Sequence, residues 1–268
     1  MEKLKIVITA LFLFWGVGCS DVKDAADIRK YGYSREPKAS CINPVADTLP
    51  TDEGKSFRGS LSGLTICIDP GHCVTNEKRQ EQISPKSKET KNVFGGGTSG
   101  KTQTEEQLNL RVGLMLKESL ETEGAEVLMT REVSEIAIDN IERAQIGNQA
   151  NCCIQIHADG VEDPSVHGIS VHVPTGELLG NPEIITASKK LGEFMLKRII
   201  EQTGAKNRGV VNRSDLVGFN WSEVPVVLVE MGFMTNPKED AQLESTEYQQ
   251  LIVYGMTAAI IDWFSMQN

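Results

Sequence analysis

Short apolar runs that alternate with helical periods are the feature that most constrains the fold of this chain. The runs are rich in β-branched residues and end in polar or turn-forming residues, which is typical of buried strands. We predict strands at residues 64–69, 125–130, 152–157, 168–173 and 226–230, and helices at residues 107–120, 138–150, 184–203 and 246–264. Strands alternating with helices predict an α/β fold, with a mostly parallel or mixed central sheet layered by helices.

The first 19 residues have the character of an export signal. Lys3 and Lys5 precede an almost wholly apolar run over residues 6–17, and Gly18-Cys19 comes directly after it. Such a run is typical of a secretory signal and is shorter than the ~20 residues that a membrane span needs. Its end resembles a bacterial lipoprotein signal that is cut before Cys19, the residue that would then be lipidated. A plain signal peptide and an uncleaved anchor stay open as alternatives, and all three place the protein outside the cytoplasm.

Residues 20–60 differ in character from the rest of the chain. They are polar, contain Pro37, Pro44 and Pro50, and show no lasting apolar period. This composition predicts a tether between the membrane and a folded domain. We therefore predict a signal segment at residues 1–19, a tether at 20–60 and one folded domain at 61–268.

Charge and cysteine spacing exclude several classes of function. The formal net charge is −10, which argues against nucleic-acid binding because such binding needs Lys and Arg to neutralise phosphates. No two of the six cysteines have CxxC spacing, which argues against a structural zinc site made of thiolates. The glycine-rich stretch 95–100 is preceded by no predicted strand and lacks the Lys-Ser or Lys-Thr of a phosphate loop, so nucleotide binding is not expected.

Residues 73–103 are polar and show no periodicity, so we predict a long loop. We expect this loop to form a wall of a substrate groove or a lid that limits access to it. The next helix has a clear start signal. Thr104 is a predicted N-cap with Gln107 three residues later, the spacing of a capping box.

Three predicted strands end in groups that can bind a metal or transfer a proton. The first leads into Asp69-Pro70-Gly71-His72, the third ends at His157, and the last ends at Glu230. Sites in α/β sheets gather beyond the carboxyl ends of the strands, so these groups are predicted to share one site. The alternative is that the histidines are satisfied core or surface residues and that the glutamate is solvated.

Five motifs around these residues resemble those of a known family, the zinc-dependent N-acetylmuramoyl-L-alanine amidases called amidase 3. They occur in the family's order from about Leu61 to the C-terminus. The motifs are Asp69-Pro-Gly-His72, Glu105-Glu-Gln-Leu-Asn-Leu110, Met129-Thr-Arg131, Ile156-His157-Ala158 and Val229-Glu-Met-Gly-Phe-Met-Thr-Asn236.

The resemblance implies a zinc ion, Zn2+, bound by His72, Glu105 and His157, with Glu230 as the catalytic residue. The family's Glu-x-x-Leu-Asn-Leu register selects Glu105 rather than its neighbour Glu106. The implied reaction is hydrolysis of the amide bond between N-acetylmuramic acid and L-alanine in peptidoglycan.

Other residues near these motifs keep two interpretations each. Asp69 either orients His72 or stabilises the turn. Arg131 and Arg143 match family positions, but they are equally well interpreted as structural ion pairs with an acidic surface.

Two residues depart from the family pattern, namely Gln155, where Ser is usual, and Asp159, where Asn is usual. His167 and His172 are interpreted as ordinary strand residues.

Two competing functions stay open at this point. One is a zinc peptidase that cuts within the stem peptide, and the other is a wall-binding lipoprotein without catalysis. The expected partner is peptidoglycan, with membrane contact only through a lipid on Cys19, and the expected form is a monomer.

Overall fold

The computed structural model describes residues 59–267 except residues 76, 94 and 96. The predicted signal segment, Cys19 and all but the end of the predicted tether lie outside the described residues. The strands are β1 Thr65–Pro70, β2 Gln80–Ser84, β3 Ser87–Asn92, β4 Glu126–Met129, β5 Cys152–Asp159, β6 Ile169–Pro174, β7 Asn207–Arg213 and β8 Val226–Phe233. The helices are α1 Glu105–Thr122, α2 Asn140–Gly147, α3 Ile184–Thr203, α4 Val217–Asn220, α5 Pro237–Glu244 and α6 Thr246–Ser265.

Six of these strands form one sheet in the order β4-β1-β5-β8-β6-β7. The first four run parallel to one another, and β6 pairs antiparallel with β8 and parallel with β7. The prediction of an α/β fold with a mostly parallel or mixed central sheet is therefore confirmed. The carboxyl ends of β1, β5 and β8 meet at one edge, where His157 and Glu230 stand side by side in register.

Alternation along the strands separates a large core from the site. Successive side chains of a strand point to opposite faces. One face packs under α1, α3 and α6 and carries Ile66, Ile68, Ile154, Ile156, Val171, Val227 and Val229. The opposite face carries a smaller cluster with Cys67, Cys153, Phe219 and Leu228. By the same alternation, Asp69, Gln155, His157, His172 and Glu230 lie on this second face.

The predicted loop at residues 73–103 contains secondary structure, which corrects that prediction. Strands β2 and β3 form a separate antiparallel hairpin within it. The hairpin is stabilised by distant residues, since Trp221 Nε1 donates to the carbonyl of Gln82 at 3.0 Å and Asn220 Nδ2 to that of Ile83 at 2.9 Å. These partners are about 140 residues away in sequence, so a local pattern does not reveal them.

The predicted helices differ from the observed ones mainly at their ends. Thr104 is the N-cap of α1 and forms the capping box with Gln107, as predicted. Helix α2 begins after its N-cap Asp139 and ends at Gly147, so it is shorter at both ends than the predicted 138–150. The local pattern predicts neither strand β7 nor helices α4 and α5. Among the described residues, no helix has both the length and the apolar character needed to cross a bilayer.

Candidate active site

The turn after β1 presents His72 in a strained conformation. Its φ is +61°, and no other described non-glycine residue has a positive φ. A backbone conformation in the left-handed region costs an L-residue roughly 1–2 kcal/mol of conformational free energy. Such strain persists only where the surroundings hold the backbone in place.

Two buried arginines hold this turn by its carbonyl groups. Arg131 donates from Nε to Pro70 O and from Nη2 to Gly71 O, both at 2.9 Å. Arg143 donates from Nη1 to Pro70 O at 2.8 Å and from Nη2 to His72 O at 2.9 Å. Neither arginine is part of a surface ion pair, because both side chains are almost fully buried. They fix the backbone that presents His72.

Asp69 supports this arrangement from beneath. It accepts hydrogen bonds from Arg143 Nη1 at 2.5 Å, Thr130 Oγ1 at 2.6 Å and Gln155 Nε2 at 3.0 Å. Burial alone would raise the pKa of Asp69, but the charge of Arg143 and these hydrogen bonds outweigh it and lower the pKa. Asp69 makes none of its hydrogen bonds to His72, so of the two interpretations the structure favours stabilisation of the turn.

Gly71 makes room for the second histidine. A Cβ atom at this position would lie 2.2 Å from Cε1 of His157, a distance that non-bonded atoms cannot adopt. The two imidazole rings can therefore approach each other, with centroids 4.9 Å apart and planes at 78°. Both histidines that the sequence singled out are thus brought together.

Glu105, the first residue of α1, completes the cluster. Its Oε1 atom lies 3.0 Å from His72 Nε2 and 2.9 Å from His157 Nδ1. The same oxygen accepts from the backbone N–H of Ala158 at 3.2 Å, and Oε2 accepts from that of Thr98 at 2.8 Å. Burial would raise the pKa of Glu105, but the hydrogen bonds and charges of His157 and His72 lower it strongly.

The neighbouring glutamate faces a different partner. Glu106 Oε1 accepts from Arg131 Nη1 at 3.3 Å, and the residue is buried away from the two imidazoles. Consecutive helical residues point about 100° apart, so only one of the pair can face the histidines.

The chemistry and the spacing of the cluster are compatible with a bound metal ion. Its ligand atoms on His72, Glu105 and His157 lie within 4.8 Å of one another. Two imidazoles and one carboxylate are a known ligand set of catalytic zinc, which sits about 2.0–2.2 Å from each such atom. His72 Nδ1 donates to the carbonyl of Gly95 at 3.2 Å, so Nε2, which faces Glu105 Oε1, is the nitrogen that would bind a metal after losing its proton.

Glu230 lies in the same recess as the cluster, together with Asp159, His172 and Arg213; we call this the Glu230 recess. Its Oε2 atom is buried and has no hydrogen-bond partner among the described residues. Burial raises the pKa of Glu230 well above its ordinary value, and the charges of Asp159 and Glu105 add to the rise. A buried carboxyl group with an unused oxygen is suited to accepting and donating a proton.

Comparison with known proteins identifies the family of this chain. The model of the Amidase_3 family, described as N-acetylmuramoyl-L-alanine amidase, matches residues 66–262. The chain belongs to this family.

Relatives and solved structures of the family align with most of this chain. The N-acetylmuramoyl-L-alanine amidase Rv3717 of Mycobacterium tuberculosis is 27% identical over 78% of this chain and 90% of its own length. The probable cell wall amidase LytH of Staphylococcus epidermidis is 23% identical over 81% of this chain and 64% of its own length. The crystal structure of the amidase Ami1 from Mycobacterium smegmatis has a TM-score of 0.70 and 25% identity, and covers 77% of this chain and 99% of that chain.

Family motifs do not reveal two residues of the Glu230 recess. His172 is interpreted from sequence as an ordinary strand residue, and Arg213 lies on β7, which the local pattern does not predict. His172 is buried, and its Nδ1 accepts from Arg213 Nη1 at 3.3 Å. Burial and the charge of Arg213 lower the pKa of His172 to about 4. The period-2 alternation of β6 is the signal that could have placed His172 on the site's face.

The imidazole of His167 contacts the nearby carbonyl of Ser165.

A second recess meets the first at the two histidines. It extends under the β2–β3 hairpin and is lined by Lys91, Asn92, Val93 and Asn140. The segment predicted as a wall or a lid therefore contributes one wall of this second recess through its hairpin. Together the two recesses form a groove that crosses the cluster.

The described cysteines take no part in the cluster. Cys67, Cys152 and Cys153 are buried and Cys73 is half-buried, and all four are free thiols. The three buried cysteines pack as small hydrophobic residues. Cys19 and Cys41 lie outside the described residues.

Proposed function

We propose that this chain is a zinc-dependent hydrolase that cuts the amide bond between N-acetylmuramic acid and L-alanine in peptidoglycan. One observation carries the proposal: the cluster of His72, Glu105 and His157 shares a recess with Glu230, whose Oε2 atom has no partner among the described residues. The family membership and the named amidase relatives support the same substrate class.

The three residues of the cluster would hold the metal. A zinc ion in such a site supplies a Lewis acid that polarises a carbonyl group and makes water more acidic. The hydrogen bonds that fix the ligands would keep them in place as the metal binds.

Glu230 would move the proton. It accepts a proton from the attacking water, whose oxygen adds to the carbonyl carbon of the lactyl group. When the carbon–nitrogen bond breaks, Glu230 delivers this proton to the nitrogen of L-alanine. The products are a lactyl carboxylate on the sugar and a peptide with a free amino terminus.

Analysis of the products tests the reaction. Purified peptidoglycan is digested with residues 59–268 and the soluble fragments are identified by mass spectrometry. We expect intact stem peptides that begin with L-alanine and sugars with a free lactyl carboxylate. New termini inside the stem peptide would favour a zinc peptidase instead, and binding without cleavage would favour a non-catalytic wall-binding protein.

Metal analysis tests the cofactor separately. We expect one zinc ion per chain, loss of activity on treatment with a chelator, and recovery when zinc is restored. A metal-free preparation with full activity would overturn the zinc dependence and leave the amidase assignment standing.

We also propose that the domain acts outside the cytoplasm and that a lipid on Cys19 anchors it to the membrane. The apolar run that ends at Gly18-Cys19 supports this, and so do relatives whose names describe them as cell wall amidases. Cys19→Ala should abolish labelling with a fatty-acid analogue, while Cys41→Ala should not. Unchanged labelling of Cys19→Ala would contradict the proposal.

A further inference from the structure

Arg213 occupies a distinctive place in the Glu230 recess. It is the last residue of β7, and it is the only lysine or arginine among the described residues that line this recess. Three carboxylates line the same recess, those of Glu105, Asp159 and Glu230. An anionic part of a ligand could therefore be stabilised there by Arg213 but not by the rest of the wall.

The guanidinium group of Arg213 is only partly used. Of its five N–H groups, Nε and Nη2 each donate to a carboxylate oxygen of Asp215 at 2.8 Å, and Nη1 donates to His172 Nδ1 at 3.3 Å. One N–H on Nη1 and one on Nη2 have no partner among the described residues. Two N–H donors on one planar guanidinium suit the two oxygens of a carboxylate.

The residues around Arg213 hold its side chain without blocking this pair. His172 is buried and accepts a hydrogen bond from the guanidinium through Nδ1, so its remaining ring proton lies on Nε2, 3.3 Å from Ser170 Oγ. Asp215 is largely exposed at the rim. Arg213 is thereby fixed from two sides before any ligand arrives, which reduces the entropy lost on binding.

We propose that Arg213 is a specificity-determining residue that binds a free carboxylate of the stem peptide, on the alanine side of the bond that is cut. This inference rests on the proposed function. In the uncleaved substrate the lactyl carboxyl group is part of the amide and the N-acetylated sugars are uncharged, so the anionic groups belong to the peptide. The nearest is the α-carboxylate of a γ-linked D-glutamate that comes after L-alanine.

A matched pair of substrates tests the assignment. N-acetylmuramoyl-L-alanyl-γ-D-glutamyl-L-lysine is compared with the same compound in which the glutamate α-carboxylate is an amide. We expect the zinc-loaded protein to prefer the carboxylate by roughly 10–100-fold in kcat/KM, as for a hydrogen bond to a charged group. In Arg213→Gln this ratio should fall to near one. If the substitution lowers kcat/KM equally for both substrates, the ratio of the two values does not change.

Arg208→Gln is the matched control on the same strand. Arg208 lies outside the recess, where its guanidinium stacks 4.9 Å from the centroid of the Phe233 ring, so this variant should keep the wild-type ratio. Equal cleavage of the two substrates by the wild type, or an unchanged ratio in Arg213→Gln, would overturn the role of Arg213. If neither substrate is cleaved at the muramoyl–alanine bond, the proposed function itself fails.

Binding of reaction products identifies the source of the carboxylate without turnover. Titration calorimetry compares L-alanyl-γ-D-glutamate with its amide, and N-acetylmuramic acid with N-acetylglucosamine, for the wild type and Arg213→Gln. We expect Arg213→Gln to lower the affinity for the peptide carboxylate alone, about 10-fold or more. Loss of affinity for N-acetylmuramic acid instead would assign Arg213 to the lactyl carboxylate of the product and overturn the peptide assignment.

Discussion

The two walls of the Glu230 recess differ in how completely their polar groups are paired. On the cluster wall, both oxygens of Glu105 accept hydrogen bonds, and the turn that carries His72 has its carbonyls bound by Arg131 and Arg143. On the opposite wall, Glu230 has a buried oxygen without a partner among the described residues. Arg213, which is half-buried, has two N–H groups that no described residue accepts.

This difference indicates a division of roles. Buried polar groups are nearly always paired, and an unpaired one calls for a functional explanation. A network in which the oxygens of Glu105 and the carbonyls of the turn are all bound is rigid, which suits residues that must hold a metal in fixed geometry. An unpaired group keeps its capacity for a proton or a ligand. We therefore expect changes on the cluster wall to alter metal binding, and changes on the Glu230 wall to alter turnover and substrate preference.

The largest effect is expected when the shared carboxylate of the cluster is removed. Glu105→Ala should lose zinc and nearly all turnover, because it deletes a ligand that touches both histidines. Glu106→Ala should keep its zinc, although it removes a partner of Arg131 and lowers stability. Zinc content and turnover on purified peptidoglycan are measured side by side. A zinc-free Glu106→Ala beside a zinc-loaded Glu105→Ala would reverse the assignment of the ligand.

The next effect is expected on the opposite wall. Glu230→Gln keeps the size of the side chain but cannot transfer a proton, so turnover should fall by ~10²–10⁴-fold. Its zinc content should match that of the wild type. If Glu230→Gln lost its zinc as Glu105→Ala does, the division between the two walls would be wrong.

A smaller effect is expected beneath the cluster. Arg143→Gln removes the donor to the carbonyl of His72, so zinc affinity should fall by about 10–100-fold, as for other residues that orient metal ligands. Competition with a chelator measures the affinity, and urea unfolding of the zinc-free protein measures stability. Arg198→Gln is the control, since Arg198 forms its ion pairs with Glu201 and Asp262 far from the site. A loss of stability with unchanged zinc affinity would reduce Arg143 to a purely structural role.

At neutral pH the smallest effect is expected at His172, whose contribution changes only in acid. Because the pKa of His172 is lowered to about 4 in the folded protein and is about 6.5 in an unfolded chain, the unfolded state binds more protons between these values. The stability that neutral His172 contributes is therefore complete above about pH 6.5 and is lost as the pH falls towards about 4.

His172→Gln should remove this dependence. From pH 7 to pH 4 the free energy of unfolding of the wild type should fall by roughly 2–3 kcal/mol more than that of the variant. Urea unfolding at both pH values measures the difference, and His167→Gln, which alters a histidine whose imidazole contacts the nearby carbonyl of Ser165, serves as the control. Identical acid dependence of wild type and His172→Gln would show that His172 is not held neutral by its surroundings.

The sequence by itself determined the α/β class, the position of most strands and helices, and the residues that meet at the carboxyl ends of β1, β5 and β8. These features depend on local patterns. Alternation and helical period decide which faces are apolar, and Thr104 with Gln107 marks the start of α1 through contacts only three residues apart. The family motifs then selected the same residues, His72, Glu105, His157 and Glu230, that the structure brings together around one recess.

Only the tertiary structure decided what surrounds those residues. It placed Arg131 and Arg143 under the turn of His72, folded residues 80–92 into a hairpin, and brought β6 beside β8 in the antiparallel sense, which carries His172 and Arg213 into the recess. The physical reason is distance along the chain. Each arrangement depends on hydrogen bonds and strand pairing between segments far apart in sequence, and local periodicity holds no information about which distant partner a segment will find.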